Sequence, residues 1–209
     1  MNDNLFKTEQ EKFWASNFGD EYIDRNKSEK LIASNFSLFS KILKNTKNIK
    51  SGIELGANIG LNLQVINKLC PNTNLSAVEI NKQATEKLKL ISNIKVYNQS
   101  ILDFQTDEKY DFVFTKGVLI HINPAELNTV YDLIYKISNK YICFIEYYNP
   151  TPVNINYRGH SDRLFKRDFA GEFLDKFKNL CLLDYGFIYH RDNIFPQDDI
   201  SWFLMEKVF

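Results

Sequence analysis

The chain predicts an α/β fold: a doubly wound, mostly parallel sheet that finishes in an antiparallel C-terminal hairpin. Three observations carry that expectation. Short apolar runs recur at Ser51–Leu55, Leu75–Glu79, Ile94–Tyr97, Tyr110–Thr115 and Tyr141–Ile145, and helically spaced apolar residues fill most of the gaps between them. The first run ends in a glycine turn, Gly56-Ala57-Asn58-Ile59-Gly60, that opens a helix. After Asn149 the alternation stops, and two further strand-like stretches, Leu180–Tyr189 and Ile200–Val208, flank a loop containing Pro196-Gln197-Asp198-Asp199.

Taken in order, Thr8-Glu9-Gln10-Glu11 is a capping box ahead of Phe13 and Trp14, so a short helix starts there. Phe18-Gly19-Asp20 is expected to break it before Glu21–Asn26. This segment is dense in Trp, Tyr and Arg. It reads either as a helix stapled to the domain or as a lid over a ligand, with Trp14, Tyr22 and Arg25 as contacts. Ser28 caps a second helix with Ile32, Phe36, Phe39 and Leu43 on its apolar face. The helix after Gly60 buries Leu63, Ile66 and Cys70 before Pro71 stops it, and Asn81 starts another through Ala84, Leu88 and Ile91. Asn123-Pro124 reads as a cap followed by proline at the first helical position, with Leu127, Val130, Ile134 and Ile137 inward. Tyr141–Ile145 is apolar throughout, the mark of a strand covered on both faces. Pro150 to Asp162 reads as a loop and Leu164 to Phe177 as a helix carrying Phe169, Phe173 and Phe177. The expectation is one domain over 1–209: a helical extension to residue 48, a binding core over 49–149, and a loop, helix and hairpin over 150–209.

The totals fit that reading. At 209 residues, 44% hydrophobic and 25% charged, the chain is globular and long enough for one real core. Lys plus Arg (26) equals Asp plus Glu (26), so no global field draws it to nucleic acid or anionic lipid. Cys70, Cys143 and Cys181 are scattered without a CxxC pair, which argues against a disulfide framework or zinc site and for small buried hydrophobes in a reducing compartment. Met1 begins a polar stretch with no apolar h-region, and no run is long enough to span a bilayer. The expected setting is cytoplasmic, without membrane or nucleic-acid partners and without a metal.

The chemistry gathers around Ser51–Gly60. Gly56 lets the backbone approach a ligand, Gly60 lets helix and strand pack closely, and Glu54 places a carboxylate at the strand's C-terminal end. Glu79 closes the second strand about 20 residues beyond the turn, where an acid can accept from both ribose hydroxyls. An acid there also suits a helix N-terminus. Ser100-Ile101, then Thr115-Lys116 and His121, follow the third and fourth strands on the same rim. Asn58 stands where a pyrophosphate-binding turn has its middle glycine, which disfavours NAD and favours a ligand without phosphates, such as S-adenosylmethionine (SAM).

With these residues the chain resembles class I SAM-dependent methyltransferases. ELGANIG is similar to the first motif of that superfamily, Val78-Glu79 to the second, and Tyr110-Asp111-Phe112-Val113 to its fourth strand. More narrowly it resembles the pseudaminic-acid-biosynthesis-associated methylases, in QEKFWASNFGDEYIDRN, GVLIHINP, EYYNPTPVNINYRG, LFKRDFAGEFLDKF and DYGFIYHRDNIFPQDDISWFLMEK. The resemblance implies a Rossmann-like methyltransferase sheet using SAM and releasing S-adenosylhomocysteine (SAH). It implies that Gly56, with Asn58, Gly60 and Glu54, holds the methionine part, that Glu79 and Ile80 hold the ribose, and that Ser100 and Ile101 flank the adenine. Lys116 is placed with the cofactor group. Many relatives carry an acid where Ser100 stands.

Methyl transfer needs alignment and exclusion of water, and a base only where the acceptor arrives protonated. His121, Tyr147 and His160 are the catalytic candidates; His121 reads equally as a structural histidine under the Asn123-Pro124 turn. Glu146, Tyr148, Asn149, Tyr157, Arg158 and His190 are candidate acceptor contacts, while Lys166 and Arg167 read as a solvated face. The expected acceptor is an amino or hydroxyl group of a nonulosonate-type sugar, free or nucleotide-linked. The alternatives are an RNA or protein methyltransferase, a non-catalytic SAM-binding protein of a glycan-modification pathway, and an NAD-dependent sugar dehydrogenase.

Overall fold

The computed structural model describes residues 6–25 and 28–208. The polar start at Met1 and the last residue of the Glu21–Asn26 stretch lie outside them. The capping box forms as expected: Thr8 accepts from Glu11 N, the Glu11 carboxylate accepts from Thr8 N, and α1 runs Glu9–Trp14. Phe18-Gly19-Asp20 does not break the chain. It lies inside α2, Asn17–Arg25, and the break falls earlier, at Ala15-Ser16. Gly19 is there for space: a Cβ on it would stand 2.0 Å from the Trp14 carbonyl oxygen.

Ser28 caps α3, Glu29–Leu43, whose fully buried residues are Leu38, Phe39 and Ile42; Ile32, Phe36 and Leu43 are only half-buried. Then β1 (Ser51–Leu55), α4 (Leu61–Leu69), β2 (Asn74–Glu79), α5 (Lys82–Leu88), β3 (Ile94–Asn98) and β4 (Tyr110–Lys116) alternate. Asn81 caps α5 by accepting from Ala84 N. Asn123-Pro124 does not begin the next helix. Asn123 Oδ1 accepts from Ala125 N in a local turn, and α6 starts four residues on, at Leu127–Ile137. β5 spans Ser138–Glu146.

The segment read as a loop from Pro150 is a hairpin instead: β6 (Val153–Tyr157) pairs antiparallel with β7 (His160–Lys166). Leu164 therefore belongs to a strand, and the helix shrinks to α7, Phe169–Lys176, capped by Asp168. β8 (Leu180–Ile188) and β9 (Ile200–Lys207) form the expected terminal hairpin.

The large sheet has the order β3-β2-β1-β4-β5-β9-β8, parallel through β5, with β9 antiparallel to β5. Alternation decides what each face meets. Phe112, Phe114, Tyr141 and Cys143 pack against Leu38, Phe39, Leu63 and Ile66 of α3 and α4. Val113, Ile142 and Phe144 pack against Val130, Ile134, Phe169 and Phe173 of α6 and α7. Cys143 is buried, whereas Cys70 and Cys181 are half-buried and all three are free. Among the described residues no helix is long and apolar enough to cross a membrane. Strand order reverses between β1 and β4, which opens a crevice at their carboxyl ends.

Candidate functional site

The floor of that crevice is the glycine turn, and hydrogen bonding to the next strand fixes its shape. Gly56 N and Ala57 N both donate to the Val78 carbonyl, at 2.8 and 3.1 Å. Gly56 and Gly60 hold φ near +77° and +79°, and Asn58 joins them at +48°. A side chain at Gly56 would strike Val118 at 2.6 Å, and one at Gly60 would strike Leu88 at 2.3 Å.

Glu79 braces the turn. Its two oxygens accept from Asn58 N and Asn81 N, each at 2.7 Å, and burial raises its pKa against the pull of those bonds. Glu54 is fully buried beneath the turn; Oε1 accepts from Asn62 Nδ2 at 2.6 Å, and among the described residues Oε2 has no partner. Desolvation pushes its carboxyl up to about 8. An orphaned carboxylate oxygen of this kind fits an incoming ammonium group.

The N-terminal helices form the roof. Gln10, Glu11, Trp14 and Tyr22 line the cleft from above, facing Asn58, Glu79, Ile80, Ser100, Ile101, Lys116 and His121. Asn81 fastens the roof by donating to Asp20 Oδ1 at 2.8 Å. Gln10 donates to the Asp162 carbonyl at 2.9 Å and so joins the roof to β7. Glu11 accepts from the Ser100 hydroxyl. Ser100 is thus met by a carboxylate from another element. Trp14 Nε1 is buried without a partner among the described residues.

His121 lies between two aromatic rings, its centroid 4.6 Å from Trp14 and 5.0 Å from Tyr157. Its Nδ1–H donates to the Arg163 carbonyl, so Nε2 carries the lone pair of a neutral ring. Burial drives its pKa down to about 4. Tyr147 sits at the end of β5, half-buried, with its pKa raised by burial and by the charge of Asp198. Tyr22 is raised too, by burial and then by Tyr157 and Asp198, so these side chains share one neighbourhood.

Several expected site residues lie elsewhere. Arg25 pairs with Glu21 at 3.5 Å and covers the outer faces of Phe18 and Tyr22 instead of entering the cleft. Glu146 turns inward, accepting from Thr115 Oγ1 at 2.8 Å and from Val118, Leu119 and Ile120 N; it shapes the turn below His121 and has no lone pair left for an acceptor. Tyr148 lies outside against Phe203, and Asn149 folds back onto Thr151. His160 is exposed, packed on Phe13 and Phe18, and His190 is exposed and bound to Asp199 at 2.8 Å. Arg158 occupies the hairpin tip at φ +50°, over Tyr157. Sequence reasoning missed Asn35, which also lines the cleft and accepts from the buried Gln197, and it missed Asp198, whose charge acts on Tyr22, Tyr147 and Lys116. The Pro196–Asp199 cluster was the signal for Asp198, and Asn35 had none.

No family model and no curated protein matches the chain. Solved structures do. A SAM-dependent methyltransferase from Clostridium acetobutylicum ATCC 824 superposes with a TM-score of 0.63 at 13% identity, over 91% of this chain and 96% of that one. The N-methyltransferase NodS from Bradyrhizobium japonicum WM9, in complex with SAH, gives 0.63 at 15% identity over 90% and 97%. The plantazolicin methyltransferase BpumL in complex with SAH gives 0.64 at 14% over 96% and 94%. The chain therefore carries the α/β fold of these methyltransferases, a mostly parallel Rossmann-like sheet closed by an antiparallel C-terminal strand pair.

Proposed function

We propose that the protein is a SAM-dependent methyltransferase acting on an amino or hydroxyl group of a small molecule, a nonulosonate-type sugar or its nucleotide-linked form. The observation that carries the cofactor is the unpartnered, fully buried Glu54 Oε2 beneath a glycine turn braced by Glu79. In this reading Glu54, Gly56 and Asn58 hold the amino-acid end. Glu79 spends one bond per oxygen on the backbone and keeps further lone pairs for ribose hydroxyls. Ser100, Ile101 and Glu11 face the adenine. When bound, SAM supplies a methyl group on a sulfonium that is already a good leaving group.

The protein's own part is to align the acceptor and keep water out. Trp14 and Tyr22 cover the cleft, and Tyr147 and Tyr157 extend its edge with rings and hydroxyls suited to a sugar. The sugar itself rests on the resemblance of the terminal segments to nonulosonate-pathway methylases. NodS is named an N-methyltransferase and BpumL a plantazolicin methyltransferase, and the shared fold leaves the acceptor open.

Calorimetric titration with SAH, with NADH as the competing reading, tests the cofactor. The wild type is expected to bind SAH and ignore NADH, and Glu79→Ala to weaken SAH by about tenfold or more. Binding of NADH alone, or a Glu79→Ala protein with unchanged SAH affinity, overturns the reading. Labelled SAM with free and nucleotide-linked sugars, read by product mass, then tests the acceptor.

A further inference from the structure

We propose that Lys116 is the general base of this site, its Nζ taking the proton that the methyl-acceptor atom sheds. The inference rests on the methyltransferase reading and moves Lys116 from cofactor binding to the chemistry. The other titratable groups lining the cleft are tied to other partners or poorly suited to take a proton. Glu11 is occupied by Thr8 and Ser100, and Glu79 is fixed by Asn58 N and Asn81 N with its remaining lone pairs assigned to the ribose. His121 is tethered to the Arg163 carbonyl and, with its pKa near 4, is a weak base. Tyr22 holds its proton more tightly than a free phenol.

Lys116 differs from all of these. It ends β4 and lines the cleft beside the Gly117–His121 turn. Among the described residues its Nζ has no hydrogen-bond or ion-pair partner. Three carboxylates from three elements act on it through their charge: Glu54 of β1, Glu146 of β5 and Asp198 of the loop before β9. None comes into ion-pair contact, and Glu146 already accepts from Thr115 and three backbone amides. Tyr22 of α2 and Tyr147 after β5 lie in the same field of Asp198. Desolvation outweighs the three carboxylates and lowers the Lys116 pKa, which favours the amine form a base requires.

The step balances simply. The acceptor's N–H or O–H bond breaks, its electron pair stays on the acceptor atom, and the Nζ lone pair of neutral Lys116 takes the proton. Lys116 gains one positive charge among Glu54, Glu146 and Asp198, which stabilise it, and later returns the proton to solvent. The same charge change predicts activity that rises with pH as Lys116 loses its proton.

Two measurements need no acceptor. In ¹³C-lysine-labelled protein, the Lys116 ε-carbon, assigned by its absence in Lys116→Arg, is expected to titrate below the solvent-exposed lysines. Titration along with them overturns the proposal. Lys116→Met, close in length and uncharged, is expected to keep SAH affinity within about threefold. A tenfold loss returns the residue to cofactor binding and also overturns it. With an acceptor turned over by the wild type, Lys116→Met and Lys116→Arg are each expected to lose about a hundredfold or more in rate. A wild-type rate in Lys116→Met overturns the proposal. Failure of the wild type itself to bind SAH is a different result and refutes the underlying reading.

Discussion

At the scale of single residues, the cleft is built from groups whose lone pairs are spent, with a few conspicuous exceptions. Glu54 is one. Its folded pKa, about 8, lies above the ordinary 4.5, so the folded state binds a proton that the unfolded state gives up. That contribution to stability is present at low pH and is lost as pH rises from about 4.5 through 8. A ligand ammonium against Oε2 favours the charged carboxylate. SAH binding at pH 7 is therefore expected to release up to about one proton per site. Calorimetry in buffers of different ionisation enthalpy reads this directly, and Glu54→Gln should abolish the buffer dependence. Buffer-independent heats in the wild type contradict the pairing. The residue types and their rim positions were visible in the sequence. Which of them are saturated was not, because Glu146 is consumed by amides of a turn some 26 to 28 positions away.

At the scale of elements, Gly19 shows how a local signal is overruled. A glycine between Phe18 and Asp20 reads as a breaker, yet α2 continues through it because that point must pass the Trp14 carbonyl. Gly19→Ala is expected to push α2 away from α1. The roof should loosen, with SAH binding weaker by about 1–3 kcal/mol. In a Trp202→Phe background, where Trp14 is the remaining indole, its emission should shift to the red. Unchanged emission and affinity would show that α1 and α2 absorb the methyl group. The β6–β7 hairpin was hidden for a related reason. Pro150, Pro152 and Gly159 punctuate it as a loop, which masks the alternation of Val153, Ile155 and Tyr157 with Asn154 and Asn156. It is held partly by tertiary contacts, with Phe18 against Tyr157 and Gln10 against the Asp162 carbonyl. By contrast, the Thr8, Ser28 and Asn81 caps form as the sequence indicates, since each is complete within four residues.

At the scale of the whole molecule, the sheet is well covered through β9 and bare at β8. Tyr185 and Phe187 stand 66% and 58% exposed on this edge strand, and its one charged residue, Asp184, accepts from Asn45. An edge with no lysine or proline and exposed aromatics invites pairing with other strands. Phe187→Lys is accordingly expected to reduce self-association in light scattering while changing stability by no more than about 0.5 kcal/mol. A large fall in thermal stability would show that Phe187 supports the fold.

The strand and helix alternation, the glycine turn, the acids at the ends of β1 and β2, and the terminal hairpin are all legible in the amino-acid order. All of these are written in spacing along the chain, where periodicity and turn chemistry act over a few residues. That α1 and α2 roof the cleft, and that His121 is tethered and neutral, follows from contacts made in three dimensions. The same packing sets Tyr22, Tyr147 and Lys116 in the field of Asp198 and leaves Lys116 without an ion-pair partner among the described residues. Desolvation and the occupancy of lone pairs depend on neighbours far away in sequence, and no local pattern encodes them.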